Sequence, residues 1–219
     1  GGVAVLDCNG DAKPDIFAAG GTSAASLMIN KDGFSFEPGE IPEILNTTGA
    51  YPIDIDADGW MDIYVLRIGA NRVLKGGPDC QFTDATQDFG LPTNDQWSTA
   101  FTAWWQDDGM PHMAVGNYVD RSNPDGPFFA CDANTILSPT SGQYSGHSIE
   151  PGFCALSMLT ARDATGTMRL RISNDRQYYV RGGYEQMWDI SEGRFLEEND
   201  GWDKVSIWGM GIASRDLNG

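Results

Sequence analysis

Residues 54–65 have the sequence Asp-Ile-Asp-Ala-Asp-Gly-Trp-Met-Asp-Ile-Tyr-Val. Aspartates stand at positions one, three, five and nine, and an apolar run follows them. A second copy of the frame lies 47 residues earlier, at residues 7–18, with Asn in place of the second Asp. Because recurrence at a fixed spacing marks a repeat architecture, the sequence predicts units of roughly 50 residues.

Weaker copies of the acidic frame follow at residues 104–112 and 161–169, and a fifth begins at 216–219. In the third and fourth copies, the positions that carry acids in the first two hold Trp104, Gln106, His112, Ala161, Thr165 and Arg169. We expect these two units to keep the turn, with Asp108 and Asp163 inside it, but to bind no metal.

Each unit also repeats its surroundings. An apolar segment of small residues precedes the acidic frame, and a second apolar segment and a hairpin follow it. In the first unit the hairpin spans residues 27–36, and its Asp32-Gly33 pair suits a tight turn. With 27 Gly and 11 Pro among 219 residues, the chain is predicted to be all-β, with four short strands in each unit. Four-stranded units of this length are typical of β-propeller blades.

The predicted blades span residues 1–49, 50–97, 98–153 and 154–207, and the next begins at 208–219. Together they form a single β-propeller domain.

These features resemble the FG-GAP/VCBS repeats of integrin α-subunit propellers and of the bacterial relatives of cartilage acidic protein. The resemblance covers essentially the whole chain, and residues 1–15, 151–158 and 207–216 are most similar to the bacterial relatives. It implies a propeller of about seven blades. A chain of 219 residues is then a fragment of a longer polypeptide, and a closed ring of four blades is the less favoured alternative.

The acidic frames predict two Ca²⁺ sites. Calcium takes six to eight oxygen ligands, which a short loop can supply from alternate positions. The expected ligands are Asp7, Asn9, Asp11, the Lys13 carbonyl and Asp15 in the first loop, and Asp54, Asp56, Asp58, the Trp60 carbonyl and Asp62 in the second. An EF-hand would require Glu at position 12, which neither loop has. Ala12 occupies a turn position where the family has Gly, and we expect strain there.

Four cysteines permit three full pairings. Cys131 and Cys154 bracket a turn-rich stretch and are the favoured pair, whereas the pairing of Cys8 with Cys80 is left open. No CxxC spacing suggests zinc or redox chemistry.

The net charge of −17 disfavours nucleic acid as a partner. No apolar run is long enough to span a membrane. His112 and His147 are the two histidines, no nucleophile motif is present, and we do not expect an enzyme. The calcium loops and the favoured disulfide predict a periplasmic or secreted protein.

The favoured function is protein binding or scaffolding, as a subunit of a larger extracytoplasmic assembly. Residues 121–152, an irregular and proline-rich stretch, are the predicted partner-binding insert. The alternative is a calcium-dependent, lectin-like carbohydrate-binding propeller, and a polysaccharide lyase is less favoured. The aromatic residues that would stack on sugars are Trp104, Trp105, Tyr178, Tyr179, Trp188, Trp202 and Trp208.

Overall fold

The computed structural model describes residues 2–106, 109–125, 129–175 and 183–214. Within these ranges the chain forms sixteen β-strands in four four-stranded sheets, and the regular helices are short 3-10 turns at Pro78–Cys80 and Glu198–Asp200. The prediction of an all-β protein with four strands in each unit is confirmed. No helix in the described part of the chain is long and apolar enough to cross a membrane.

Each sheet is built from strands that are consecutive in the sequence. The first sheet contains β1 (Val3–Leu6), β2 (Asp15–Ala18), β3 (Ser26–Asn30) and β4 (Phe36–Gly39), and the second contains β5 (Thr47–Ile53), β6 (Asp62–Arg67), β7 (Arg72–Gly77) and β8 (Gln81–Asp84). The third contains β9 (Ser98–Trp104), β10 (His112–Asn117), β11 (Asn134–Thr140) and β12 (Gln143–Ile149), and the fourth contains β13 (Ala155–Arg162), β14 (Met168–Asn174), β15 (Gln186–Asp189) and β16 (Arg194–Phe195). In every sheet the spatial order of the strands is the sequence order, which gives the up-and-down meander of a propeller blade.

The burial of each strand follows from its place in its sheet. In β1, Ala4 and Leu6 are buried whereas Val3 and Val5 are exposed, because alternate side chains point to opposite faces. In β6, an inner strand of the second sheet, Ile63–Leu66 are all buried. A continuous apolar run is therefore the sequence signature of a strand covered on both faces.

The chain is divided into two compact units. The first comprises residues 1–98, 105–112 and 138–146, and the second comprises 99–104, 113–137 and 147–219. In the first unit, side chains of the first and second sheets form one apolar core that includes Phe17, Leu27, Ile63, Val65 and Leu74. In the second unit, side chains of the third and fourth sheets form another that includes Ala114, Ile136, Met158, Leu170 and Trp188. Within each unit, successive sheets pack face to face.

The prediction that residues 121–152 form an irregular insert is wrong for much of this stretch, because β11 and β12 lie inside it. They are the third and fourth strands of the third sheet. Pro139 does not break β11, since the pairing of β11 with β10 runs from Thr135 to Leu137 and Pro139 lies beyond it.

Candidate metal site in the acidic loops

Both acidic loops connect the first strand of a sheet to the second. The first aspartate of each loop organises the turn by accepting backbone N–H groups. Oxygens of Asp7 accept from Gly10 N at 2.8 Å and from Ala12 N at 2.8 Å. Asp54 accepts from Gly59 N at 3.0 Å and from Asp58 N at 3.2 Å. These aspartates hold the loops in shape through the turn chemistry of short acidic side chains.

The fourth and sixth positions of both loops have positive φ. In the first loop these positions are Gly10 at 74° and Ala12 at 63°, and in the second they are Ala57 at 59° and Gly59 at 89°. Each loop thus has one glycine and one alanine at these two positions, in opposite order. A Cβ disfavours this left-handed conformation, so the strain expected at Ala12 is present, and Ala57 shares it.

The ninth-position aspartates are buried at the start of the second strand. Asp15 accepts from Cys8 N at 2.9 Å and from Asn30 N at 2.8 Å. Asp62 accepts from Ile55 N at 2.8 Å and from Gly76 N at 2.8 Å. Each carboxylate therefore ties its own loop to the third strand of its sheet.

Burial raises the pKa of Asp62 to about 6, because loss of solvation outweighs the two amide bonds that favour the charged form. A side chain at residue 76 would not fit beside this carboxylate, since a Cβ there would lie 2.2 Å from the Met61 carbonyl oxygen.

Three middle acids of the second loop converge. Asp54, Asp56 and Asp58 each place a carboxylate oxygen within 4.8 Å of the others. Oδ1 of Asp56 is buried and has no hydrogen-bond partner among the described residues. A buried carboxylate oxygen without a partner is costly, and a bound cation would satisfy it. The residues of the second loop therefore fit a calcium ion.

Lys75, on β7, lies against the same group of acids. Its ammonium contacts Oδ2 of Asp56 and lies 2.7 Å from Oδ2 of Asp58. The hydrogen bond from Lys75 lowers the pKa of Asp58. Burial opposes the charge on Lys75, but its bonds to the two aspartates outweigh burial and raise its pKa above the usual range. We did not predict a role for Lys75 from the sequence.

The first loop is arranged differently. Asn9 accepts from Asp11 N at 3.1 Å, and Asp11 accepts from Lys13 N at 2.9 Å. The ammonium of Lys13 bonds Asp11 at 3.2 Å and the Lys31 carbonyl at 2.9 Å. The backbone bond from Lys13 lowers the pKa of Asp11. Among the described acids, those of the first loop do not form the convergent group seen in the second.

The ten predicted calcium ligands thus lie in two loops of the expected kind, and the assignment of calcium to them stays a prediction. A second group of potential ligands, formed by Cys8, Asp15 and Cys80, is also close together. Its two sulfurs are joined in a disulfide and are not available as thiolates.

The fourth acidic copy, predicted as a nine-residue loop at 161–169, is instead a tight hairpin turn. Ala161 pairs with Arg169 and Arg162 pairs with Met168, so the strands extend into the predicted loop. Asp163 caps the turn by accepting from Thr165 N at 2.9 Å and Thr167 N at 3.0 Å.

Arg169, at the ninth position of this copy, contacts two acidic side chains. Its Nε donates to Asp163 at 3.1 Å, and its Nη1 donates to the buried Asp189. The side-chain hydrogen bond from Thr165 is the largest cause that lowers the pKa of Asp163 to about 2.

In the third copy, Trp104 is buried at the end of β9, and His112 begins β10 with its Nδ1 atom 3.2 Å from Oγ of Ser138. The predicted turn residue Asp108 lies outside the described residues, as do the fifth acidic copy and the tyrosines at 178 and 179.

Both disulfides form. Cys131–Cys154 confirms the favoured pair, and Cys8–Cys80, which the sequence left open, is the second. Cys8 is the second residue of the first acidic loop, and Cys80 lies between β7 and β8. This disulfide therefore links the first sheet to the second.

Among the predicted sugar-stacking residues, Trp104 and Trp188 are buried in the core of the second unit, whereas Trp105 and Trp208 are exposed. Trp202 packs under the guanidinium of Arg171, which lies 4.5 Å from the ring centroid. These two residues line a cavity of about 480 Å³ on the fourth sheet. Glu185, which is almost fully buried, accepts a hydrogen bond from Arg171 at 3.3 Å.

Comparison with known proteins agrees with this architecture. Residues 7–65 match the family model of the FG-GAP-like repeat, a segment that includes both acidic loops. No curated protein matches the chain. One similar solved chain comes from the crystal structure of BBS1N in complex with ARL6DN, soaked with lead. The two chains are 11% identical with a TM-score of 0.52, and the match covers 89% of this chain and 54% of that one.

At this identity the likeness shows the fold alone, and this chain spans about half the length of its structural neighbour. Meander sheets, the repeat match and the structural likeness together define the class of the protein. It is a protein of β-propeller blades, in which residues 7–65 are similar to the FG-GAP-like repeat and the blade fold extends over all four sheets.

Proposed function

We propose that this protein is a calcium-stabilised β-propeller that serves as a protein-binding or scaffolding subunit outside the cytoplasm. The single observation that carries the calcium assignment is the partnerless, buried Oδ1 of Asp56 within the group formed by Asp54, Asp56 and Asp58. The first loop, which has the same frame and the same backbone turns, is the proposed second site.

Two calcium ions would offset part of the net charge of −17 and leave the surface acidic. Extracellular calcium modules bind with dissociation constants of about 10⁻⁴ to 10⁻³ M, so such sites fill outside the cell and stay mostly empty in the cytosol. The two disulfides support the same location, because disulfides persist in oxidising compartments.

A binding role is supported by a structural precedent and not by the fold itself. Propellers host many unrelated functions, so the fold alone does not select one. The similar solved chain comes from a crystal structure of BBS1N in complex with ARL6DN, which is a precedent for a chain of this fold in a protein assembly. We propose no catalytic activity for the chain. The acids that could serve in acid-base chemistry are engaged by backbone amides or by Lys75 and Lys13.

Calcium dependence of thermal stability tests the first part of the proposal. A ligand at a hundredfold excess over its dissociation constant stabilises the folded state by about 2.7 kcal/mol per site. For a chain of this size, that corresponds to about 5 to 10 °C in melting temperature. We expect EDTA to lower the melting temperature. Asp56→Ala or Asp58→Ala should remove most of the calcium-dependent stabilisation that comes from the second loop.

Asp163→Ala is the matched control. It removes an acid from the hairpin turn of the fourth copy, where Arg169 already forms an ion pair with it, and it should lower stability while leaving the calcium-dependent shift unchanged. A melting temperature indifferent to EDTA would contradict the calcium assignment.

Carbohydrate binding is the second candidate, and the cavity beside Trp202 and Arg171 is the observation that favours it. A glycan array distinguishes the two functions, because a scaffold should give no calcium-dependent hits. Co-purification from the native source would identify a protein partner.

A further inference from the structure

Lys75 lies beside the second acidic loop and contacts two proposed calcium ligands, but it has no role in the proposed calcium site. It comes from the third strand of the sheet, 17 residues after Asp58 and 19 after Asp56. Its ammonium nevertheless contacts carboxylate oxygens of both aspartates. The side chain is 35% exposed, so its flexible stem has solvent into which the ammonium can swing.

The ammonium and a divalent cation would compete for the same oxygens. Two of the three convergent carboxylates already accept from Lys75, and like charges a few ångströms apart repel strongly at a partly buried site. Lys75 supplies one positive charge and no ligand oxygen. It can therefore neutralise Asp56 and Asp58 in part, but it leaves Oδ1 of Asp56 without a partner.

The other loops show what distinguishes this arrangement. Lys13 contacts one carboxylate of the first loop and is itself a residue of that loop. Arg169 is held between Asp163 and Asp189 and is only 20% exposed, so it is a fixed replacement for a metal. Of these three cations, Lys75 alone comes from a separate strand, bridges two grouped acids and is accessible enough to leave.

We propose that Lys75 is a built-in competitor of the cation at the second acidic loop. It holds the loop together when calcium is absent, is displaced when calcium binds, and thereby weakens and sets the calcium affinity of this site. This inference rests on the proposed calcium site and adds the residue that tunes it.

The test is a calorimetric titration of the whole chain with Ca²⁺, using wild type, Lys75→Met, Lys75→Arg and Arg72→Met. Lys75→Met keeps the length of the side chain and removes the charge, and it should tighten one binding site by about tenfold or more. Lys75→Arg keeps the charge and should stay near wild type. Addition of Asp58→Ala should abolish the tightened site, which assigns it to the second loop.

Arg72→Met is the matched control. It removes a positive charge from the same strand at a similar exposure, 34%, and its partner Asp84 lies outside the loop. Calcium affinity should not change in this variant. Equal tightening in Arg72→Met and Lys75→Met would mean a general effect of net charge and would overturn the inference.

Melting temperatures give a second, independent readout. In EDTA, Lys75→Met should melt below wild type, because Asp56 and Asp58 lose their ion-pair partner, whereas in saturating calcium it should gain more stability than wild type does. If wild type binds calcium and Lys75→Met binds it no more tightly, the inference fails and the proposed site stands. If neither binds calcium, the proposed site fails and the inference fails with it.

Discussion

Both acidic loops require positive φ at their fourth and sixth positions, but they place different residues there. The first loop has Gly10 and Ala12, and the second has Ala57 and Gly59. Each loop turns through two positive-φ positions, and each fills one of them with alanine. Since the two loops reverse the order of Gly and Ala, neither position requires alanine for its side chain. The two alanines are therefore sites where the loops carry avoidable backbone strain.

Substitution at these positions should change stability in opposite directions. Ala12→Gly and Ala57→Gly should each raise the free energy of unfolding by up to about 1 kcal/mol, because relief of the Cβ clash exceeds the entropy cost of glycine. Gly10→Ala and Gly59→Ala should each lower it by about 1 kcal/mol.

Urea denaturation measures all four effects. No atom lies within 4 Å of a Cβ built at Gly10 or Gly59, so backbone conformation alone is tested there. The same sign in both pairs of substitutions would contradict this account.

Among the strands, the buried aspartates have a connecting role: Asp15 links segments of the first sheet, and Asp62 links segments of the second. Asp62 begins β6 and accepts N–H groups from the acidic loop and from β7. One carboxylate thus holds the acidic loop, β6 and β7 together. A β-strand pair needs its backbone groups satisfied where the ladder ends, and these aspartates supply that function at the loop end of each sheet.

The raised pKa of Asp62 makes stability depend on pH. Its pKa is about 6 in the folded protein and near 4 in the unfolded chain, so the folded state holds a proton that the unfolded state has released between these values. The free energy of unfolding should therefore fall by on the order of 3 kcal/mol as pH rises from about 4 to 6.

Asp62→Asn should remove this slope, and it also removes one of the two amide bonds, because the NH2 group of Asn cannot accept from a backbone N–H. Denaturation in EDTA across the pH range gives the comparison. Asp58 and Asp163, whose pKa values are lowered, act with the opposite sign and below about pH 4, where their stabilisation is lost on acidification. An unchanged slope between pH 4 and 6 in Asp62→Asn would contradict the assignment.

In the molecule as a whole, each disulfide joins two four-stranded sheets that follow one another in the sequence. Cys8–Cys80 links an acidic loop of the first sheet to a turn of the second, and Cys131–Cys154 links the connection within the third sheet to the start of the fourth. Each therefore fastens neighbouring blades within one compact unit.

The longer closed loop should contribute more stability. On the loop-entropy model, a separation of 72 residues corresponds to about 4 kcal/mol and one of 23 residues to about 3 kcal/mol. The double variant Cys8→Ser with Cys80→Ser should thus be less stable than Cys131→Ser with Cys154→Ser. Chemical denaturation of both, with fully reduced wild type as the reference, measures the difference. The reverse order would show that chain entropy does not dominate.

The repeat, the four-stranded plan of the blades and the two acidic loops could all be predicted from the amino-acid sequence. These features depend on local chemistry: the alternation of apolar residues, the glycine turns and the spacing of aspartates within nine residues. The hairpin of β11 and β12 was missed because Pro139 and the polar residues near it hid a strand pattern that pairing with β10 stabilises.

Contacts between residues far apart in the sequence became visible only in the folded structure. The Cys8–Cys80 pairing and the contacts of Lys75 with Asp56 and Asp58 join residues that are 17 to 72 positions apart, so no local pattern specifies them. One signal was available: when the first two repeats are aligned on their buried aspartates, Lys75 falls where the first has the apolar Met28. Its meaning required the register of β6 and β7, because sheet pairing is what brings a third-strand lysine to the acidic loop.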